Sequence, residues 1–421
     1  MNSGKINWSK VIQRLIALTV IWAGCAVIAA NATLYHSRRN QELGSLRETP
    51  NSNTIVHRAG PIREDRVWIN VKEFAGATGD GTTDDTAKVN SAITAAAGGV
   101  VYFPKGTYIV SKLLSPAPRT RIVGDGKGIS ILKRKNLTND SYILYLSSHG
   151  SSLSGITLDG NRAKNPGITG GEIVVEGDDV ELHDFEVVNS TWISIQVQAK
   201  RTRIRDCNLI GSGSATEGAV TGIWMATQAT TDTVIEGCTM SDYRWGAIFA
   251  GGTGANAASR IRIINNTFSG NHRQNTNTGG GQVAFGGPGG HLLMGNTFIV
   301  GDGLEATLTS GIEANAGAII VGNFFDGGGV HIDGIVLQIG SHYSVSGNQI
   351  RGFRGSGVLI NNSVTDITIT TNDLNGNGTP IADGSKTSEK VIIANLPVAT
   401  GDKDRRNDWW LQRQGRPVRS R

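Results

Sequence analysis

A chain of 421 residues with 57 glycines and only 6% aromatic residues is long enough for a large core, yet it calls for many tight turns and little bulky packing. The formal net charge of +5 resides in the ends: residues 1–66 carry nine Lys/Arg against four Asp/Glu, residues 401–421 carry seven against three, and residues 67–400 are left at −4. That distribution gives no support to nucleic-acid binding by the folded body, and three cysteines, Cys25, Cys207 and Cys238, are too few for a disulfide framework.

At the N-terminus, Lys5, Lys10 and Arg14 precede the apolar run "LIALTVIWAGCAVIAANATLY" (15–35). Residues 1–35 therefore read as a signal peptide or a membrane anchor, and the body is expected to be exported, either periplasmic and membrane-anchored or secreted. Ala30-Asn31-Ala32 fits a small-residue cleavage site, whereas Arg38 and Arg39 resist translocation of a short flank, so both fates stay open. Trp22-Ala23-Gly24-Cys25 ends like a lipoprotein box but has a bulky Trp where an aliphatic residue belongs. Residues 36–66, polar and broken by "ETPNSNT", suit a linker.

Next comes "GDGTTDDTAKVNSAI" (79–93), with Asp80, Asp84 and Asp85 inside six positions. Thr82 and Asp85 are spaced as a capping box, Asp84 and Asp85 fall where a helix dipole favours anions, and Val89/Ile93 with Ala92/Ala96 make one apolar face. Gly98 stands where a C′ glycine would. A calcium loop of the EF-hand type needs alternating ligands and a Glu at the twelfth position, which are missing. These acids are accordingly expected to be structural, and no metal ligands are assigned.

From residue 153 a pattern recurs: aliphatic, two residues, a small or polar residue, one residue, apolar. It reads "LSGITL" (153–158), "LHDFEV" (182–187), "IRDCNL" (204–209), "IEGCTM" (235–240), "IINNTF" (263–268), "LMGNTF" (293–298), "IVGNFF" (320–325), "VSGNQI" (345–350) and "ITTNDL" (369–374). Starts 22 to 31 residues apart suit one coil of a parallel β-solenoid, with loops absorbing the differences. The fourth position runs Cys207, Cys238, Asn266, Asn296, Asn323, Asn348, Asn372, which stacking turns into a side-chain ladder with the cysteines as small members.

Between these motifs lies a second strand, including "GIWMAT" (222–227), "GAIFAG" (246–251), "GQVAFG" (281–286), "GIEANA" (311–316), "GIVLQI" (334–339) and "GVLINN" (357–362). Alternation predicts inward pairs Ile223/Met225, Ala247/Phe249, Val283/Phe285, Ile312/Ala314, Ile335/Leu337 and Val358/Ile360, and an outer row of Trp224, Ile248, Gln282, Glu313, Val336 and Leu359.

The segment "INVKEFAGATGDGTTDDTAKVNSAITAAAGGVVYFPKGTYIV" (69–110) resembles the opening of the pectate lyase superfamily, and "TLDGN" (157–161) adds to the likeness. The resemblance implies an all-β fold, a single-stranded right-handed parallel β-helix with an N-terminal capping helix, here over residues 67–378, with 379–421 as a C-terminal extension. It also implies a polysaccharide, uronate-containing by preference, lying along one outward-facing sheet.

Loops entering the second strand are the long ones, and they bring acids and cations to adjacent coils. Glycoside hydrolysis needs two carboxyls a few ångströms apart, whereas elimination or C5 epimerisation of a uronate needs a base at C5 and a cation on the carboxylate. Glu313 is the one acid expected to point outward from mid-strand, and Asp333, His331 and Asp242 join it as candidate catalytic residues. Arg244, His272 and Arg273 are candidates for holding a substrate carboxylate, and Trp224 for stacking on a sugar ring. No cofactor is indicated, and a calcium ion stays open. The N-x-D, D-D, G-H-G and R-x-K order of polygalacturonases is not met: Ser148-His149-Gly150 precedes Asp178-Asp179, which read as turn formers, and Arg203-Ile204-Arg205 lacks the lysine. The W-x-D-H of calcium-dependent pectate lyases and the D-P-H of alginate epimerases are absent too. A non-catalytic carbohydrate-binding or surface-structural solenoid is the alternative.

The chain closes on "DWWLQRQGRPVRSR", where Trp409 and Trp410 precede Arg413, Arg416, Arg419 and Arg421. This reads as a disordered tail or as a contact for an anionic surface.

Overall fold

Strands of three to five residues expose too little apolar surface to stand alone, so each coil here buries its one or two inward side chains against the coils before and after it. The computed structural model describes residues 67–136, 142–211, 221–225, 227, 229–251, 258–271, 281–299, 310–314 (backbone), 317–329 and 333–396. In one coil, Arg203–Arg205 lies in sheet A, Asn208–Ile210 in sheet B and Thr221–Met225 in sheet C, and the chain rejoins sheet A at Val234–Glu236. Sheets A, B and C have 13, 11 and 10 strands, and neighbouring coils pair in parallel throughout the described residues.

The interior is three files of stacked side chains. Leu182, Ile204, Ile235, Ile263, Leu293 and Ile320 line sheet A in register, each buried. Along sheet B, Met240 leads to Phe268, Phe298 and Phe325, whose rings stack at 4.7 and 4.5 Å between centroids. Such burial contributes roughly 1.5–3 kcal/mol per large apolar side chain.

The ladder expected at the A-to-B corner is present. Asn296 Oδ1 accepts from the Asn266 backbone N–H at 2.9 Å and from its Nδ2 at 3.0 Å, and the same pair of bonds recurs from Asn296 to Asn323, Asn323 to Asn348, and Asn348 to Asn372. Each Nδ2 also donates to a carbonyl of the preceding coil, as Asn323 does to Leu293 at 3.0 Å. The small or polar residue before each rung has a physical cause: Gly295, Gly322 and Gly347 sit at φ near +64°, where a side chain is strained, and Asn265 takes the same conformation at φ 54°. Cys207 and Cys238 occupy the first rungs and are joined by a disulfide, with Cα atoms 4.5 Å apart. The cysteine count gave no sign of that bridge, because one cross-link between adjacent rungs needs no framework.

Strands Thr379–Asp383 and Lys390–Ile393 continue sheets C and A past residue 378, and Asn395 supplies one more rung, accepting from Asn372 at 3.0 Å.

At the N-terminal end, helix α1 (Val71–Ala75) precedes helix α2 (Thr86–Ala96), which buries Val89, Ala92, Ile93 and Ala96 against strands Trp68–Asn70, Val100–Phe103 and Gly106–Val110. The expected capping box does not form. Asp80–Asp84 is a strand of sheet B, so Thr82 lies too early, and its hydroxyl donates to Asp80 at 3.0 Å. Asp85, the residue before α2, turns back instead and accepts from Thr78 N–H at 2.8 Å, Gly79 N–H at 2.9 Å and the Thr78 hydroxyl at 3.0 Å. Backbone and hydroxyl donors of Thr83 and Thr82 hold the Asp80 carboxyl far below the usual range.

No helix among the described residues is long and apolar enough to cross a membrane; segments 15–35, 36–66 and 401–421 lie outside them.

Candidate functional site

Sheet C presents an outward row fixed by register: Tyr145, Val174, Gln196, Trp224, Phe249, Ala284, Val336, Leu359 and Ala382, of which Val174, Ala284 and Val336 are covered and buried, and the backbone of Glu313 holds the register position between Ala284 and Val336. The coil at 246–251 is shifted by one from the expected alternation. Gly246 pairs with Thr221, not Gly222, so Ile248 and Ala250 continue the inward file of Ile223 and Met225 and are buried, while Phe249 faces out. Ala247 is buried as well, at the corner where sheet B turns into sheet C. In the next coil the expected inward pair Val283/Phe285 holds, but the register row passes through Ala284, and Gln282, two positions earlier, is 4% exposed with its Oε1 accepting from Asn271 Nδ2 at 3.2 Å.

The shift creates an aromatic platform. Trp224 and Phe249 stack at 4.4 Å between centroids and 22° between planes, both half-buried. Toward the N-terminal coils the row turns polar. The Tyr145 hydroxyl donates to Glu176 Oε2 at 2.5 Å, which raises the phenol pKa, and the Tyr142 hydroxyl donates to Gln196 Oε1. Glu176 is exposed. Tyr142, Tyr145 and Glu176 were missed because they lie in or beside strands Leu144–Leu146 and Gly171–Val175, which precede the repeated second strand, and the alternation in "YILYL" was the available signal; Gln196, in strand Ile193–Val197, was not singled out.

The expected site residues divide. Trp224 lies on the platform, and Glu313 occupies the same register row three strands on, through Phe249 and Ala284. Asp242 and Arg244 lie in the turn between Thr239–Ser241 and Gly246–Ala250, at the B-to-C corner, with Trp245 exposed beside them. Asp242 holds φ 66°, and Tyr243 between them is fully buried with its hydroxyl 2.6 Å from Ser194. Asp333 begins strand Asp333–Gly340 and pairs with Ser310, three positions before the row; its Oδ1 accepts from Ser356 N–H at 2.7 Å. His331, His272 and Arg273 lie outside the described residues. Asp178 and Asp179 form a turn, Asp179 at φ 60°, clasped by Arg201 at 2.6 Å.

Beneath the corner, Glu172 is fully buried. Burial pushes its carboxyl up to about 7 against the pull of Arg134, 3.8 Å away, and of Ser190 and Thr191, which donate to it. This pair is internal, with Arg134 and Glu172 both fully buried. Among the described residues no group of three or more His, Cys, Asp or Glu is arranged to hold a metal ion. What the row offers is a stacked aromatic pair whose ring edges and outer faces are left for the C–H groups of a sugar, bordered by hydrogen-bonding groups.

Comparison with known proteins agrees with this architecture. The family described as "Rhamnogalacturonase A/epimerase, pectate lyase-like" matches residues 68–285. The mannuronan C5-epimerase AlgE2 of Azotobacter vinelandii is 39% identical over 114 residues, 23% of this chain and 11% of that protein. A probable glucan endo-1,3-beta-glucosidase of Arthroderma benhamiae is 41% identical over 80 residues, 16% of this chain and 9% of that one. The chain thus matches only about a tenth of the length of these relatives. Among solved structures, the A-module of the Azotobacter vinelandii epimerase AlgE6 superposes with TM-score 0.60 at 18% identity, over 79% of this chain and 96% of that one. PfbA, a surface adhesin of Streptococcus pneumoniae, gives 0.53 at 15% over 75% and 91%. These likenesses establish a shared parallel, right-handed β-solenoid.

Proposed function

The chain belongs to the rhamnogalacturonase A/epimerase, pectate lyase-like family, and from that premise we propose that it is an exported protein that cleaves or modifies a uronate-containing polysaccharide along the outer face of sheet C. The observation that carries this reading is the half-buried Trp224–Phe249 stack, in one register row with Glu313. A sugar ring docked on the platform would run on along the row, across successive strands about 4.8 Å apart, toward Glu313 as the base or acid. Asp242 and Arg244 border the same face at the B-to-C corner, and Arg244 is the cation for a uronate carboxylate. Helix α2 closes the N-terminal end of the coils. The Cys207–Cys238 disulfide supports export, since such bonds persist in oxidising compartments.

A second reading, a non-catalytic carbohydrate-binding surface, is favoured by the small and apolar members of the row, Ala284, Val336 and Leu359. One assay separates the two. The chain is incubated with acidic and neutral polysaccharides, with and without calcium, following absorbance of unsaturated uronates, new reducing ends, and epimerisation by proton NMR. Any product supports the enzyme; binding without product supports the second reading; neither removes both.

A further inference from the structure

A second concave surface lies on a different face. A groove of about 610 Å³ crosses the outer side of sheet A and the corner where sheet C returns to it, lined by Arg262, Leu292, Ile319, Ser341 and His342 among others. Arg262, Leu292, Ile319 and Ser344 form one register column on adjacent strands. Three strand spacings place its ends roughly 14 Å apart, the span of a short oligomer and not of a single small molecule.

The chemistry along the column is graded. Arg262 is exposed and has no ion pair with a described residue, because the nearby Asp232 is held by Arg260 at 2.7 Å. Two strands earlier in the same column stands Arg203, also exposed and unpaired among the described residues, while neighbouring Glu181 is held by Arg205 at 2.6 Å. The middle of the groove is apolar: Leu292 is half-buried and Ile319 is 40% exposed. At the far end the Ser341 hydroxyl lies 2.7 Å from His342 Nδ1, and the imidazole, 81% exposed, has Nε2 3.6 Å from Asp366.

We propose that this groove is a second binding site for an acidic oligosaccharide, distinct from the face of sheet C. A uronate carboxylate meets the Arg262 guanidinium, whose fork matches it bidentately. The apolar faces of the sugar rings lie on Leu292 and Ile319, and hydroxyl groups exchange hydrogen bonds with Ser341 and His342. Arg203 receives a carboxylate further along a longer chain. An acidic peptide would satisfy the cations but would leave the arrangement of apolar floor and hydroxyl-binding end without a use. The site stands on sheet A whether or not sheet C is catalytic.

The exposed imidazole supplies the test. The full chain is treated with diethyl pyrocarbonate, and modification of His342 is followed by mass spectrometry in the presence of hexagalacturonate, hexamannuronate, a neutral glucose hexamer or hexaglutamate. Saturating hexauronate of one type or the other should slow His342 labelling at least fivefold, while the neutral hexamer and the peptide leave it unchanged. Arg262→Gln, an exposed substitution checked for unaltered Tm, should abolish the protection, and Trp224→Ala on sheet C should retain it. Unchanged labelling with both hexauronates, equal protection by hexaglutamate or the neutral hexamer, protection that persists in Arg262→Gln, or protection lost in Trp224→Ala would each overturn the site. The last of these would leave sheet C as the binding face.

Discussion

Trp224 stacks on Phe249 at 4.4 Å, one strand from the next, on the outer face of sheet C. A stacked aromatic pair on an outward row is unneeded for the interior, which Ile223, Ile248 and Val283 already fill. Trp224→Ala is therefore expected to weaken binding of the preferred polysaccharide about tenfold, or about 1.4 kcal/mol, and to change unfolding free energy by less than about 1 kcal/mol. Calorimetric titration and urea unfolding measure the two; a large loss of stability with unchanged binding would make the stack structural.

The asparagine ladder sets a second expectation. Asn323 accepts from the backbone N–H and Nδ2 of Asn296 and donates to Leu293 and Asn348, all buried. Asn323→Ala strands donors and acceptors on both neighbouring coils at roughly 1–3 kcal/mol each, so a loss on the order of 3–5 kcal/mol is expected in denaturant unfolding. Asn375→Ala, outside the ladder and bonded only within its own turn to Asp373, should lose less than about 1 kcal/mol.

Glu172 makes stability depend on pH. Its folded pKa, about 7, lies above its ordinary value of 4.5 because burial disfavours the carboxylate. Below pH 4.5 both folded and unfolded states are protonated and the full stability is present. As pH rises from 4.5 through 7 the unfolded state releases the proton first, and stability falls by an amount on the order of 3 kcal/mol. Urea unfolding at intervals from pH 4.5 to 8 should show this fall in the wild type and a flatter profile in Glu172→Gln. Equal slopes would mean that Glu172 is ionised in the folded state. Asp80 titrates at much lower pH in the folded state and contributes outside this window.

The Cys207–Cys238 disulfide closes a sequence separation of 31 residues. Constraining the unfolded chain over such a loop stabilises by about 3 to 4 kcal/mol. Reduction should lower Tm by several degrees without shifting the far-UV circular dichroism spectrum. An unchanged Tm would show that the ladder hydrogen bonds alone fix these rungs.

Much of the fold was legible in the residues because a solenoid repeats its constraints. The left-handed corner favours Gly, Asn or Asp before the rung, although Thr371 and Ala394 adopt it too, and from Asn266 on the rung is a side chain that both donates and accepts, so "GN" recurs at 295–296, 322–323 and 347–348. The platform was less legible. In "GAIFAG" both alternations leave an apolar file, and only the pairing of Gly246 with Thr221 shows that Phe249 faces out. Tyr145 was hidden for a different reason, since strand Leu144–Leu146 carries no leading glycine, and Glu176 lies one residue past strand Gly171–Val175, ahead of the strands that define the repeat. The acids of 79–93 went the other way: their spacing suggested a capping box, but a strand through Thr82 and the backbone donors of Thr78 and Gly79 claimed them. Asp333 is likewise engaged by a backbone N–H that no sequence pattern reveals.

The central claim is that polysaccharide is processed along the outer row of sheet C with Glu313 at its chemical centre. The most direct measurement is the turnover rate of Glu313→Gln beside the wild type on the best polymer from the panel. A fall of about a hundredfold or more with binding retained is the expected result. Full turnover in Glu313→Gln would contradict it.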